Sequence, residues 1–207
     1  MTPWMPEPPD PAVLRGDDRA AYDAVLEREL RKYGSLGGYF GGLLNAPSVG
    51  GALSQLGHVV RSGASAGFYT NAERELIDMV VSVELDQAAV FAGHLPDAIA
   101  YGLRPEAVDA ICRRDYDVLT GDERLLVDYV LAVLRGTVTE TQFEAITDRF
   151  GGPRGAVAYT VAIGFLIMTM RLMSAFGFGP GPADSSLVQP YLDGTAEIVP
   201  PPEGRAS

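Results

Sequence analysis

The chain has 207 residues, and 47% of them are apolar, which is enough for one domain with a sizeable core. Its 27 acidic residues outnumber 16 scattered basic residues, giving a net charge of -11, so we expect neither nucleic acid nor an anionic membrane as a partner. Cys112 is the only cysteine, which excludes an internal disulfide and any cysteine-based metal cluster.

The first part of the chain predicts an arm followed by two helices. Residues 1–15 are proline-rich and carry no secretory signal, so we expect a surface arm and a cytoplasmic location. Helical periodicity then predicts helices over 18–33, ended by Gly34, and over 48–61, ended by the glycine and serine run 62–67.

The rest of the chain is also predicted to be helical, because start and stop signals recur and no useful strand-like alternation appears. The signals are a cap at Thr70, a cap-like Asp86 before a helix over 87–101, Pro105 opening a short helix to Arg113, and capping boxes at Thr120 and Thr139. A final helix over 153–176 is apolar on nearly every side, which favours a central or subunit-interface position. Residues 179–207 form a proline- and glycine-rich tail.

One small cluster of residues could carry chemistry. His94 lies seven residues after Gln87 and four after Val90, close to one stripe of a helix, and Glu75 comes from the preceding helix, which should pack antiparallel. A histidine there could act as a general acid or base. On pattern alone, however, a lone helix histidine such as His94 or His58 is more often structural. Two histidines without a carboxylate set also make a weak metal site, so we predict no metal.

A resemblance to a known family favours a functional role for this cluster. The runs 71–77, 94–103 and 106–108 are similar to the carboxymuconolactone decarboxylase and alkylhydroperoxidase D-like family, and the similarity extends over about residues 40–178. The resemblance implies an all-α, helical-hairpin bundle as a single domain over 16–178. It also implies a homo-oligomer, either a trimer or a hexamer.

The peroxidase branch of that family has a glutamate, eleven residues, then Cys-x-x-Cys-x-x-x-His. This chain keeps the spacing with Glu75, Gln87, Val90 and His94, so both cysteine positions are replaced. The resemblance therefore implies that Glu75 and His94 retain acid/base positions. Peroxide reduction needs an attacking and a resolving thiol, which these positions lack.

The decarboxylase branch works without a cofactor, and we expect the same of this chain. The prediction is an acid/base enzyme, either a lyase or an isomerase or cyclase, acting on a partly apolar small molecule. Gln87, Val90 and Phe91 are expected to bind the substrate, and Arg61 or Arg171 could hold a carboxylate. The alternative is a non-catalytic oligomeric scaffold that has lost the family's dithiol.

Overall fold

The protein is built from α-helices, as the sequence predicts. The computed structural model describes residues 7–199, and for residues 32, 33 and 62–65 it describes the backbone only. The α-helices in this range are α1 Gly16–Tyr33, α2 Gly38–Leu43, α3 Pro47–Ser65, α4 Asn71–Glu84, α5 Ala88–Ala100, α6 Pro105–Arg113, α7 Gly121–Arg135, α8 Glu140–Arg149, α9 Pro153–Phe176 and α10 Gln189–Leu192. Residues 7–199 contain no strand, only an isolated bridge between Gln87 and Gly181.

Local capping chemistry sets several helix starts. Thr70, Thr120 and Thr139 each accept a hydrogen bond from the backbone N–H three residues later, and the side chain at that later position bonds back to the threonine N–H. Each box satisfies two backbone donors that the first turn leaves without partners. These starts depend on neighbouring residues alone, and the predictions for them are confirmed.

Two predicted helix boundaries are wrong. Helix α3 continues to Ser65 instead of ending at residue 61, and the chain leaves it through Gly67, whose φ is +76°. Asp86 does not cap α5, because its φ of 51° places it in the left-handed region and Gln87 occupies the cap position. The short α2 was not predicted, since its sequence GYFGGL contains three glycines and no helical period.

Helix α4 lies at the centre of the bundle. It packs against α5, α6, α7 and α9, and every residue from Glu73 to Val83 is buried. A helix surrounded in this way carries its charged side chains into the interior, where they need partners. A separate small core of Tyr22, Val25 and Leu44 joins α1 to the α2–α3 connection, so α1 and α3 form a layer beside the main core.

Helix α9 is long and apolar enough to cross a bilayer, but it packs against α3, α4, α7 and α8. These contacts bury one face of α9, which includes Tyr159, Ile163 and Met170. Its outer face still carries Val157 and Val161, which are 53% and 47% exposed.

The segment after α9 is attached to the bundle. Gly181 accepts a hydrogen bond from Ala88 N–H at 2.9 Å and donates one to the Asp86 carbonyl at 2.8 Å, and Val188 is fully buried in the main core. Trp4, which belongs to the proline-rich arm, and the tail beyond residue 199 lie outside the described residues.

Candidate active site

A cavity of about 730 Å³ lies between the α1–α3 layer and helices α5 and α9. Its volume is in the range of small-molecule sites. The apolar part of its wall includes Phe40, Leu53, Val90, Phe165 and Met170. Asp78, His94 and Arg61 line it as well, so polar groups and an apolar surface share one space.

The antiparallel pairing of α4 and α5 brings Glu75 and His94 together. Glu75 Oε2 lies 2.8 Å from His94 Nδ1. The Glu75 side chain is 1% exposed, whereas that of His94 is 23% exposed and reaches the cavity. An ionised carboxylate can only accept, so Nδ1 carries the proton and Nε2 is left for a ligand. No residue in the described part of the chain hydrogen-bonds to Nε2.

Two further charged residues of α4 complete the cluster. Arg74 donates a hydrogen bond to Glu75 Oε1, and its Nη1 lies 3.6 Å from Asp78 Oδ2. The same Asp78 oxygen is 3.5 Å from His94 Nδ1 and has no hydrogen-bond partner among the described residues. Asp78 is only 2% exposed, so it is a buried carboxyl with an unsatisfied oxygen on the cavity wall.

The environment shifts the two carboxyl groups in opposite directions. Burial raises the pKa of Asp78, and the nearby charges of His94 and Arg74 do not fully offset it. Burial also acts to raise the pKa of Glu75, but the hydrogen bond and charge of His94, with Arg74, outweigh it and lower that pKa. Burial acts to lower the pKa of His94, while Asp78 and Glu75 raise it above the usual 6.5. Opposed shifts of this kind make Glu75 the more readily ionised of the two carboxyl groups.

The structure does not bring two of the expected substrate-binding residues to the cavity. Gln87 is fully buried, and its Nε2 donates to Ser174 Oγ at 2.7 Å. The reason is that Gln87 precedes α5 and so does not follow its helical register. Phe91 is fully buried in the main core, on the face of α5 away from the cavity. Val90 does line the cavity, as expected.

The structure also separates the two candidate cations. Arg61 lines the cavity, whereas Arg171 is exposed on α9 and is not part of its wall. His58, the second histidine of the chain, lines the cavity too. Cys112 is buried in α6, and burial, together with Asp109, raises the pKa of its thiol. A thiol of this kind is a poor nucleophile.

The donor atoms of Glu75, Asp78 and His94 all lie within 4.8 Å of one another, a spacing that could hold a divalent cation. A cation there would have to displace the Nδ1 proton, and it would lie beside the Arg74 guanidinium, which already neutralises part of the carboxylate charge. A cation at this position and the Nδ1 proton therefore exclude each other.

Comparison with known proteins identifies the fold. No family model and no curated protein matches the chain. The structure is similar to a crystal structure described as an alkylhydroperoxidase AhpD core, an uncharacterized peroxidase-related protein from Ralstonia eutropha JMP134. The TM-score is 0.64 and the identity 20%, over 89% of this chain and 94% of that one. The chain has the alkylhydroperoxidase D-like fold. This likeness confirms the fold that the resemblance implied, and at this identity it shows the fold alone.

Sequence reasoning missed Asp78. It lies three residues after Glu75, so both carboxylates share one face of α4, and the i, i+3 spacing was a usable signal. What the sequence lacked was evidence that this face is interior. A glutamate and an aspartate at this spacing on an exposed helix would be ordinary solvated charges.

Proposed function

We propose that the protein is an enzyme that moves protons on a partly apolar organic substrate, with His94 as its general acid and base. The observation that supports this most directly is the 2.8 Å contact between Glu75 and His94 Nδ1 at the wall of a 730 Å³ cavity. Glu75 holds the imidazole in one tautomer, which leaves Nε2 as the reactive atom. A dithiol mechanism needs two thiols, and the chain has one cysteine.

The proposed step begins when neutral Nε2 takes a proton from a carbon beside a carbonyl group. The electron pair of the broken C–H bond moves into the carbonyl and gives an enolate. The imidazolium then returns the proton to a second carbon, which is an isomerisation, or to a leaving group that the enolate expels, which is an elimination. In a decarboxylation, carbon dioxide leaves first and the imidazolium protonates the resulting enolate carbon. None of these steps needs a cofactor.

Asp78 has a defined part in this scheme. Its carboxyl lies on the cavity wall beside His94, and burial raises its pKa above that of an exposed aspartate, so it takes up a proton more readily. In its protonated form this carboxyl can donate a hydrogen bond to the enolate oxygen, where negative charge develops. Glu75 is a positioning residue, since it reaches the substrate only through His94.

The test is deuterium uptake from heavy water into a panel of lactone acids and ketones, followed by mass spectrometry. We expect His94→Gln to lose about a hundredfold or more of the exchange rate. Glu75→Gln should lose less and shift the pH profile to lower pH, because the carboxylate that raises the His94 pKa is gone. His58→Gln is the matched control, since it removes the other cavity histidine. Equal exchange by wild type and His94→Gln would contradict the proposal.

The alternative function is a non-catalytic ligand-binding or scaffold protein. It is favoured by Gln87, which stands at a position that the family resemblance gives to a thiol and here has a packing role against Ser174. Tight binding of a panel compound without exchange at any pH would support this alternative.

Assembly and location are also proposals. A homo-oligomer, trimer or hexamer, would cover the exposed Val157 and Val161 of α9. Analytical ultracentrifugation measures the state directly, and a monomer at high concentration would contradict it. The cytoplasmic location and the absence of nucleic-acid and membrane partners stay predictions from charge and sequence.

A further inference from the structure

The cavity wall carries three arginines, and they differ in their partners. Arg31 Nη2 lies 2.7 Å from Glu27, and Arg28 Nε lies 3.7 Å from Glu29. Arg61 has no carboxylate within ion-pair distance in the described part of the chain, although the chain holds 27 acidic residues. A half-buried guanidinium that no described carboxylate contacts directly can bind an anion from outside.

Arg61 lies at the reactive end of the cavity. It is close enough for its charge to act on Glu75, Asp78 and His94. An anion held by Arg61 therefore occupies the same cavity as His94, whose Nε2 is the reactive atom of the proposed function. A guanidinium binds a planar carboxylate through two parallel hydrogen bonds, which fixes orientation as well as position.

The remaining wall is mainly apolar. Phe40, Leu53, Phe165, Met170 and Met173 line it, and the two flexible methionines can adapt to more than one shape. A small, multiply charged acid would leave this surface in contact with water. The cavity volume of about 730 Å³ is also larger than such an acid requires.

Helix α9 adds one polar group to this apolar wall. Its Thr160 and Ser174 hydroxyls bond back to the carbonyls four residues earlier, at 2.7 and 3.0 Å. The buried Thr169 hydroxyl makes no such bond to its own helix, and it lines the cavity beside Tyr39, whose pKa it acts to lower through a side-chain hydrogen bond. The Thr169 hydroxyl and the Tyr39 phenol thus form a polar position that can hydrogen-bond to an oxygen in the body of a ligand.

We propose that the cavity binds an amphiphilic organic carboxylate, with its carboxylate on Arg61 and its apolar chain or ring against α2, α3 and α9. This proposal depends on the proposed function, because it names the substrate class of the same site. The observations that support it are the position of Arg61 and the apolar wall. A cation stabilises a bound carboxylate and so opposes loss of that group as carbon dioxide. The inference therefore favours isomerisation or elimination over decarboxylation of the anchored group.

The test is calorimetric titration at neutral pH with decanoate and decanol, which share an apolar chain and differ in charge. Wild type should bind decanoate more tightly than decanol. Arg61→Gln should weaken decanoate binding by about tenfold or more, because a hydrogen bond to a charged group contributes that much, and should leave decanol binding unchanged. Arg171→Gln is the control: it removes the same charge from the exposed face of α9, and we expect it to bind both probes as wild type does.

Each other outcome overturns the inference. Decanoate binding that survives in Arg61→Gln would show that the carboxylate lies elsewhere, and equal losses in both variants would reduce the effect to net charge. No binding of either probe by wild type would exclude the amphiphile class. Thermal unfolding of each variant checks that the fold is intact. The titration involves no turnover, so its failure with normal deuterium exchange would remove this inference alone, and the reverse result would remove the proposed function alone.

Discussion

The buried cluster on α4 predicts a large effect for one conservative substitution, Glu75→Gln. The wild-type carboxylate accepts from both Arg74 and His94, and its side chain is 1% exposed. Glutamine keeps one acceptor oxygen but adds an NH₂ donor, so it cannot serve both neighbours. Arg74, whose side chain is 6% exposed, would keep only Asp78 at 3.6 Å as a counter-ion.

The magnitude follows from the cost of leaving a buried charge without its partner. Breaking a buried ion pair from one side costs about 3–5 kcal/mol of unfolding free energy. For a chain of this size, each kcal/mol lowers the melting temperature by about 2–4 °C, so the expected loss is about 6–20 °C. Urea unfolding at neutral pH measures the free energy, and calorimetry measures the temperature.

Two further variants make this prediction decisive. Glu27→Gln breaks a pair with Arg31 that is also short, at 2.7 Å, but both of those side chains are 72% exposed, so stability should change little. The double variant Arg74→Met/Glu75→Gln removes both charges and should recover at least half of the loss. A Glu75→Gln variant that loses less than about 1 kcal/mol would refute the reasoning, because the pair would then not be desolvated as the structure indicates.

The remaining predictions concern titration and backbone strain. NMR should show His94 titrating above 6.5 in the wild type and at lower pH in Glu75→Gln; titration below 6.5 in the wild type would contradict the cluster. Because folding raises the pKa of His94, protonation of this histidine should stabilise the protein fully below pH 6.5, and the stabilisation should be lost as the pH rises through the pKa of the folded state. Denaturation of His94→Gln and wild type at a series of pH values measures this contribution. Burial raises the pKa of Asp78, so ionisation of this carboxyl opposes folding above about pH 3.8. Asp78→Asn should therefore become more stable relative to wild type as the pH rises from acid to neutral. A stability difference that stays constant with pH would contradict this. Gly179→Ala should destabilise the chain by about 1–3 kcal/mol more than Gly194→Ala. Both glycines have left-handed φ values, 61° and 66°, but only at Gly179 would a Cβ lie 2.7 Å from a side chain of α5. Equal melting temperatures of the two variants would show that the segment after α9 is not packed as described.

Local sequence determined most of the helix boundaries in this protein. The threonine capping boxes, the proline at the start of α6 and the glycines that follow α1 and α7 act within a few residues, so they can be interpreted without knowing the fold. The spacing of Glu75 and His94 across two helices joined by a short connection likewise placed both residues in one cluster. Their contact needed only an antiparallel hairpin.

The composition of the cavity was decided by tertiary structure. Whether Gln87 points to a ligand or to Ser174 depends on where the end of α9 lies, eighty-seven residues later in the chain. The sequence does not distinguish Arg61 from Arg171 as a carboxylate-binding residue, yet packing places Arg61 on the cavity wall and Arg171 in solvent. Asp78 became part of the site because the surrounding helices enclose α4, and only that enclosure turns a common helix charge into a buried carboxyl with an unsatisfied oxygen. Sequence thus determined which residues form each helix, whereas burial, which sets the energy and the pKa of a charged group, arises only when the helices pack.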